Sequence, residues 1–437
     1  MIIPIPTPEH LAWQKRELGV LIHFDVEVYE PSYKSRQHDT LPPASVFNPA
    51  ELDTDQWIRA AKAAGCTSAV FTAKHGSGFS MFPTAAYGYG VHTCPWKGGK
   101  GDIVGDFVAS CRKFGLTPGL YYSVGANDFL SVHDHRTYQG ATITWEEYKR
   151  LAMITLRELF TRYGDLGEIW FDGGMWPDEK DRRELADLVN EFQPHAICFG
   201  GDPDLVKSVR HSGNEGGTTL PWCFSASDGP SGAGDYLNFQ RGRRDGKFYY
   251  PQECITTLKD HKAFYDGWFW KEGEDHLTRR PEDLLDIYYQ SVGHNSTLLI
   301  GMEIDNRGLL PESDVAVFER FGELLRGQFA DCIASCEGQP GQMVYELPNP
   351  NCRPVNMIEL REDITQGEHV GWFQLYGVKD NGETVFIMFG DAVGNCLLDR
   401  FPAAAFPKFR LVLDNKMGSV GGTHKLDRFA LYNAPRF

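Results

Sequence analysis

The sequence contains no apolar run near the ~20 residues that would cross a bilayer as a helix, and no low-complexity tract. A soluble, folded chain without a membrane span is the expectation. Basic residues are outnumbered: 43 Lys and Arg stand against 59 Asp and Glu, a formal charge of −16. A surface of that sign repels a phosphate backbone, which speaks against a nucleic-acid partner. The 10 cysteines include no CxxC pair and several lie inside apolar patterns, so buried reduced thiols are expected. No GxGxxG opens a helix, which argues against a dinucleotide cofactor. The opening "MIIPIPTPEH" has no basic n-region and two prolines in its apolar stretch, unlike a secretory signal. The expected compartment is the cytoplasm if the chain is full length, and is unknown if a leader has been removed.

What the sequence does have is a repeated alternation of short β-type runs and helical stretches. "GVLIHF", "CTSAVFTAKH", "LTPGLYYS", "LGEIWFDG", "HAICFGG" and "NSTLLIG" read as strands. Between them, "DTDQWIRAAKAAG", "DIVGDFVASCRKFG", "TWEEYKRLAMITLRELFTRYG", "DRRELADLVNEFQP", "PEDLLDIYYQSVG" and "PESDVAVFERFGELLRG" read as helices with Asp, Thr or Pro starts and Gly stops. This α/β pattern fits a (β/α)8-type barrel over residues 1–337, with an irregular stretch from 200 to 280 that predicts long loops at one end. After "CEGQPGQ" the texture changes to period-two runs such as "NMIELRED" and "ETVFIMFGD". They predict a small C-terminal antiparallel β-sandwich over 338–437.

In such a barrel, chemistry gathers at the C-terminal ends of the strands. Those ends carry His23, then Lys74 and His75, then Tyr122 and Ser123, then Asp172. A carboxylate ending a buried strand is costly unless it is paired or used, so Asp172 marks a candidate site. A lone strand-end histidine is commonly structural, but two beside an aspartate point to a shared mouth. A second acid is available in "RHSGNEGGTT", where glycines let Glu215 approach a ligand closely. "HDH" at 133–135 offers closely spaced imidazoles, but in a polar loop a solvated turn is the plainer reading. A metal set of His23, His75 and Asp172 lacks an HxH at a strand end, so neither metal nor cofactor is expected.

Taken together, "GVLIHF", "FNPAELDTDQWIRAAKAAG", "FTAKHGSGFSMFPTAAY", "CPWKGGKGDIV", "LGEIWFDG", "SGNEGG", "DGWFW" and "LLDIYYQSVGHNSTLLI" resemble glycoside hydrolase family 29, the α-L-fucosidases. The likeness is nearest to the α-1,3/1,4-fucosidase branch. It implies a retaining exo-α-glycosidase acting on an oligosaccharide or glycoconjugate, with Asp172 as nucleophile and Glu215 as general acid/base, their carboxyls about 5 to 5.5 Å apart. It further implies that His23 and His75 bind sugar hydroxyls and that Trp268 forms an apolar wall; Tyr122 is the remaining substrate-binding candidate. Oligomeric state is not implied.

Departures from the family pattern concentrate around the sugar. Asp25 follows "HF" where the family has glycine, and "KHHDGF" has become "KHGSGF", which places Gly76 and Ser77 where an imidazole and a carboxylate are expected. The Glu-Trp pair common before "FNP" is missing, and Tyr265 and Asp266 stand where an arginine commonly precedes "GWF". The altered shell leaves open a changed glycone such as L-galactose, or a carbohydrate-binding protein on a decayed barrel. Retention of both carboxylates speaks against decay.

Overall fold

The computed structural model describes residues 2–33, 40–229, 236–261, 266–413 and 424–436. Eight strands close into a parallel barrel: β1 (Leu18–His23), β2 (Ser68–Lys74), β3 (Thr117–Tyr122), β4 (Glu168–Trp170), β5 (Ile197–Phe199), β6 (Ser208–His211), β7 (Gln252–Thr256) and β8 (Ser296–Glu303). Each pairs with the next in sequence, and β8 returns to β1 with His23 opposite Glu303. Both faces of these strands are covered, which is why β1 and β2 are buried at every position and read as continuous apolar runs.

The helices are α1 (Pro8–Gln14), α2 (Thr54–Ala64), α3 (Ile103–Phe114), α4 (Trp145–Arg162), α5 (Glu179–Phe192), α6 (Tyr236–Arg241), α7 (Pro281–Ser291) and α8 (Glu312–Gln328). Their ends are set locally. Asp53 and Asp102 cap α2 and α3 by accepting from the Gln56 and Gly105 amides, and Gly65 and Gly115 end them in the left-handed conformation. Helix α1 covers the N-terminal end of the lumen, where Trp13 Nε1 donates to Glu168 Oε2 at 3.1 Å.

The regular alternation fails in the stretch the sequence marks as irregular. No helix separates β5 from β6, and α6 has only 6 residues. Strands β6 and β7 lie within this stretch and carry Arg210 and Glu253, polar residues that hide a strand signal. Arg210 is buried and donates to the carbonyls of Ser225 and Phe224 at 2.9 and 2.7 Å, so it ties the long excursion after β6 to the barrel wall.

The C-terminal sandwich pairs two four-stranded antiparallel sheets. The first contains β9 (Cys332–Cys336), β11 (Val355–Glu362), β14 (Leu397–Ala404) and β16 (Leu426–Tyr432); the second contains β10 (Val344–Pro348), β12 (Phe373–Val378), β13 (Thr384–Gly390) and β15 (Lys408–Leu413). Leu360, Phe373, Leu375, Phe409, Leu411 and Phe429 fill the space between them. Strand β9 already pairs with β16, so the sandwich takes in residues ahead of the 338 expected from the Gly- and Pro-rich stretch. Among the described residues no helix is long and apolar enough to cross a membrane.

One buried ion pair fixes the loop that follows β7. Lys259 Nζ lies 2.7 Å from Asp314 Oδ1 and 2.6 Å from Thr278 Oγ1, with both charged side chains at most 1% exposed. It joins the two ends of the 259–278 excursion to α8. Removing one partner strands the other charge away from water, so Asp314→Ala is expected to lower stability by about 3–5 kcal/mol. Urea denaturation measures this, and a loss below about 1 kcal/mol would contradict it.

Candidate active site

Strand alternation builds the site from the lumen upward. Glu168, Trp170 and Asp172 are two residues apart and share the inward face, while Ile169 and Phe171 pack outward against the helices. At the C-terminal mouth lies a cavity of about 440 Å³ whose lining includes His23, His75, Gly76, Tyr121, Asp172, Glu215 and Trp268. The barrel therefore brings together His23, His75, Asp172, Glu215 and Trp268, all expected from the sequence.

Tyr122 is not among the lining residues. It is 1% exposed, and packs in the layer between strands and helices with Lys74 Nζ 4.5 Å from its ring centre. Its neighbour Tyr121 takes the inward place and donates its hydroxyl to Asp172 Oδ2 at 2.7 Å. Both faces of β3 are buried, so apolar alternation carries no phase there and the sequence does not tell which tyrosine faces in. Lys74 also turns away from the cavity, donating to the carbonyls of Ser123 and Ala126.

Glu215 reaches the cavity from the loop after β6. Gly213 and Gly217 hold φ of 77° and 75°, and a Cβ at 213 would collide with the Thr218 carbonyl, so the turn needs glycine. Across the mouth, Trp268 Nε1 donates to Glu215 Oε2 at 3.1 Å. Gly301 makes room for that indole: a Cβ there would come within 3.2 Å of the Trp268 ring. Trp268 and Phe269 lie 4.9 and 5.2 Å from the His23 ring, and His75 stacks on Tyr121 at 5.6 Å.

Burial lowers the His23 pKa to about 3, reinforced by His75 and opposed by Asp172. His23 is thus a neutral imidazole at ordinary pH, able to donate from one nitrogen and accept at the other. Glu27, Tyr33, His133 and Asp266 also line the cavity, and none was singled out as a sugar contact from sequence. His133 arrives because the loop after β3 docks on the 76–78 turn, with Asp128 N donating to Gly76 O at 2.8 Å and Phe129 N to Ser77 O at 3.1 Å. Tyr265 lies outside the described residues.

Two of the departures touch each other. Ser77 Oγ lies 2.7 and 2.9 Å from the Asp25 carboxylate oxygens, and Asp25 Oδ1 also accepts from Val26 N, which starts the short helical turn Val26–Tyr29.

The barrel mouth, a cavity lined by rings, imidazoles and the carboxyls of Glu27, Asp172, Glu215 and Asp266, fits a glycoside hydrolase. The α-L-fucosidase family model matches residues 7–328. Alpha-L-fucosidase 1 of Arabidopsis thaliana is 29% identical over 92% of this chain and 82% of its own length. A Bacteroides thetaiotaomicron structure carrying a provisional α-L-fucosidase assignment is 30% identical, with TM-score 0.88 over 99% of this chain and 100% of that one. A glycoside hydrolase 29 family member from a rumen bacterium is 25% identical, with TM-score 0.84 over 100% of this chain and 78% of that one. The chain belongs to the α-L-fucosidase family, glycoside hydrolase family 29.

Burial raises Asp25 to about 7, against the lowering effect of Ser77, Val26 N–H and Lys74, while nearby Asp128 adds to the rise. Glu27 is likewise raised to about 8, by burial and then by Asp25. A carboxyl raised on folding gives stability that is full below its unfolded pKa of about 4 and is lost as pH rises through the folded value. Asp25→Asn keeps an acceptor for Ser77 and Val26 but removes the titration. Its melting temperature should therefore fall less between pH 4 and pH 8 than that of the wild type. Parallel pH profiles would contradict the assignment.

Proposed function

We propose that this chain is a retaining exo-α-glycosidase that removes terminal α-L-fucose, or a related L-sugar, from an oligosaccharide or glycoconjugate. The observation that carries this reading is the placement of Asp172 and Glu215 on one cavity, each steadied by a neutral donor, the Tyr121 hydroxyl and the Trp268 indole. Asp172 attacks the anomeric carbon and forms a glycosyl ester while Glu215 protonates the departing oxygen. Glu215 then takes a proton from the water that cleaves the ester.

The phenol of Tyr121 orients the Asp172 carboxylate without neutralising it, which keeps it nucleophilic. His23 and His75 meet ring hydroxyls, and a site built to bond hydroxyls rejects sugars that leave those groups unpaired. Trp268 and Phe269 present an apolar wall that suits the methyl group of a 6-deoxy sugar. A second reading, acceptance of L-galactose, is favoured by bare Gly76 beside the polar groups of Glu27 and His133, where a hydroxymethyl would find partners. Turnover of nitrophenyl α-L-fucoside against α-L-galactoside separates the two.

Asp172→Ala should abolish turnover, and azide should restore part of it with inversion of the product. Glu215→Gln should slow natural glycosides far more than aryl glycosides, whose leaving groups hardly need a proton. Retention of more than about a tenth of wild-type activity by Asp172→Ala would overturn the nucleophile assignment.

A further inference from the structure

Glu253 sits on β7 inside the lumen, 1% exposed, and does not line the cavity, so it is not a substitute for Glu215 as an acid. Its Oε1 accepts from Trp170 Nε1 at 3.0 Å, and its Oε2 accepts from Thr297 Oγ1 at 3.3 Å. A second buried carboxyl, Glu168, is 2% exposed and accepts from Trp13 Nε1 at 3.1 Å. Burial raises the pKa of both carboxyls, and Glu168 adds to the rise of Glu253.

Trp170 forms part of the cavity floor. One face of its indole stacks on Phe199, with ring centres 3.7 Å apart and planes 7° from parallel. The other face stacks on Tyr121 at 5.2 Å and 15°, and Tyr121 in turn stacks on His75. The hydrogen bond from the indole N–H to Glu253 fixes the side-chain torsions of Trp170, and with them the face against which the Tyr121 ring packs.

We propose that Glu253 is a positioning residue: by holding the Trp170 indole it fixes the ring stack that points the Tyr121 hydroxyl at Asp172. The proposal rests on the reading of Asp172 as nucleophile. Glu253 touches no substrate, and its effect reaches the reaction through the orientation of the attacking carboxylate. Misorientation of an attacking group lowers the rate of the chemical step with little effect on substrate affinity.

The test compares Glu253→Leu and Glu253→Gln, alone and combined with Tyr121→Phe, on a nitrophenyl glycoside that the wild type turns over. Leucine removes the acceptor, and kcat should fall about 10- to 100-fold with KM within about 3-fold of wild type. Glutamine keeps an acceptor for the indole, so most of kcat should return. With Tyr121→Phe already present, Glu253→Leu should cost less than about a further 3-fold, because both changes act through one hydrogen bond. Multiplying losses, or an unchanged kcat in Glu253→Leu, would overturn the proposal. If Glu253→Leu does not fold, Trp170→Phe, which deletes the indole N–H, is read in the same two backgrounds. Failure of the nucleophile reading shows separately, as activity retained by Asp172→Ala.

Discussion

The site depends on one hydrogen bond, from the Tyr121 hydroxyl to the Asp172 carboxylate at the C-terminal mouth of the barrel. Asp172 is the third inward-facing residue of a run that begins with Glu168 and continues with Trp170, so its direction is set by the barrel itself. The hydroxyl of Tyr121 donates to that carboxylate and orients it without adding a second charge. Around it the lumen is lined with rings, which exclude water and hold the hydroxyl in place. Glu215 is arranged differently: it comes from a glycine turn, and its orientation depends on the indole of a loop tied down by the Lys259–Asp314 ion pair. One carboxylate is thus set on the rigid barrel and the other on an excursion, a division that suits a fixed nucleophile and an acid that must accommodate a leaving group.

The barrel was legible wherever helices with Asp starts and Gly stops separated apolar runs, because caps and periodicity are local signals. It became illegible from 200 to 280, where β6 and β7 carry Arg210 and Glu253. Those residues are bonded by carbonyls and an indole from other segments of the chain. His23, His75, Asp172 and Glu215 were recoverable because strand ends converge on one mouth and because the family pattern marks them. Tyr121 was missed in favour of Tyr122 because both faces of a barrel strand are buried, so hydrophobicity gives no phase. His133, read as part of a solvated turn, reaches the cavity only through the backbone docking of its loop on the 76–78 turn.

Two of the departures from the family pattern are joined, with a third beside them. Asp25 and Ser77 bond each other, and Gly76 opens the cavity beside them. Glu27, held largely protonated by burial near neutral pH, lines the same cavity. A neutral carboxyl both donates and accepts, so this side of the cavity can bond a sugar hydroxyl in either sense without charge. Gly76, Glu27 and Asp266 line the same cavity as Asp172 and Glu215.

The central claim is that the Asp172 carboxylate becomes bonded to the sugar. A 2-deoxy-2-fluoro-α-L-fucosyl donor with a good leaving group slows both steps but permits the first to accumulate. After incubation, peptide mass spectrometry should find one fluorosugar adduct per chain, on the peptide containing "WFDGG" and on Asp172 within it. An adduct on another carboxylate, or turnover of the parent fucoside with inversion and no adduct, would contradict the account.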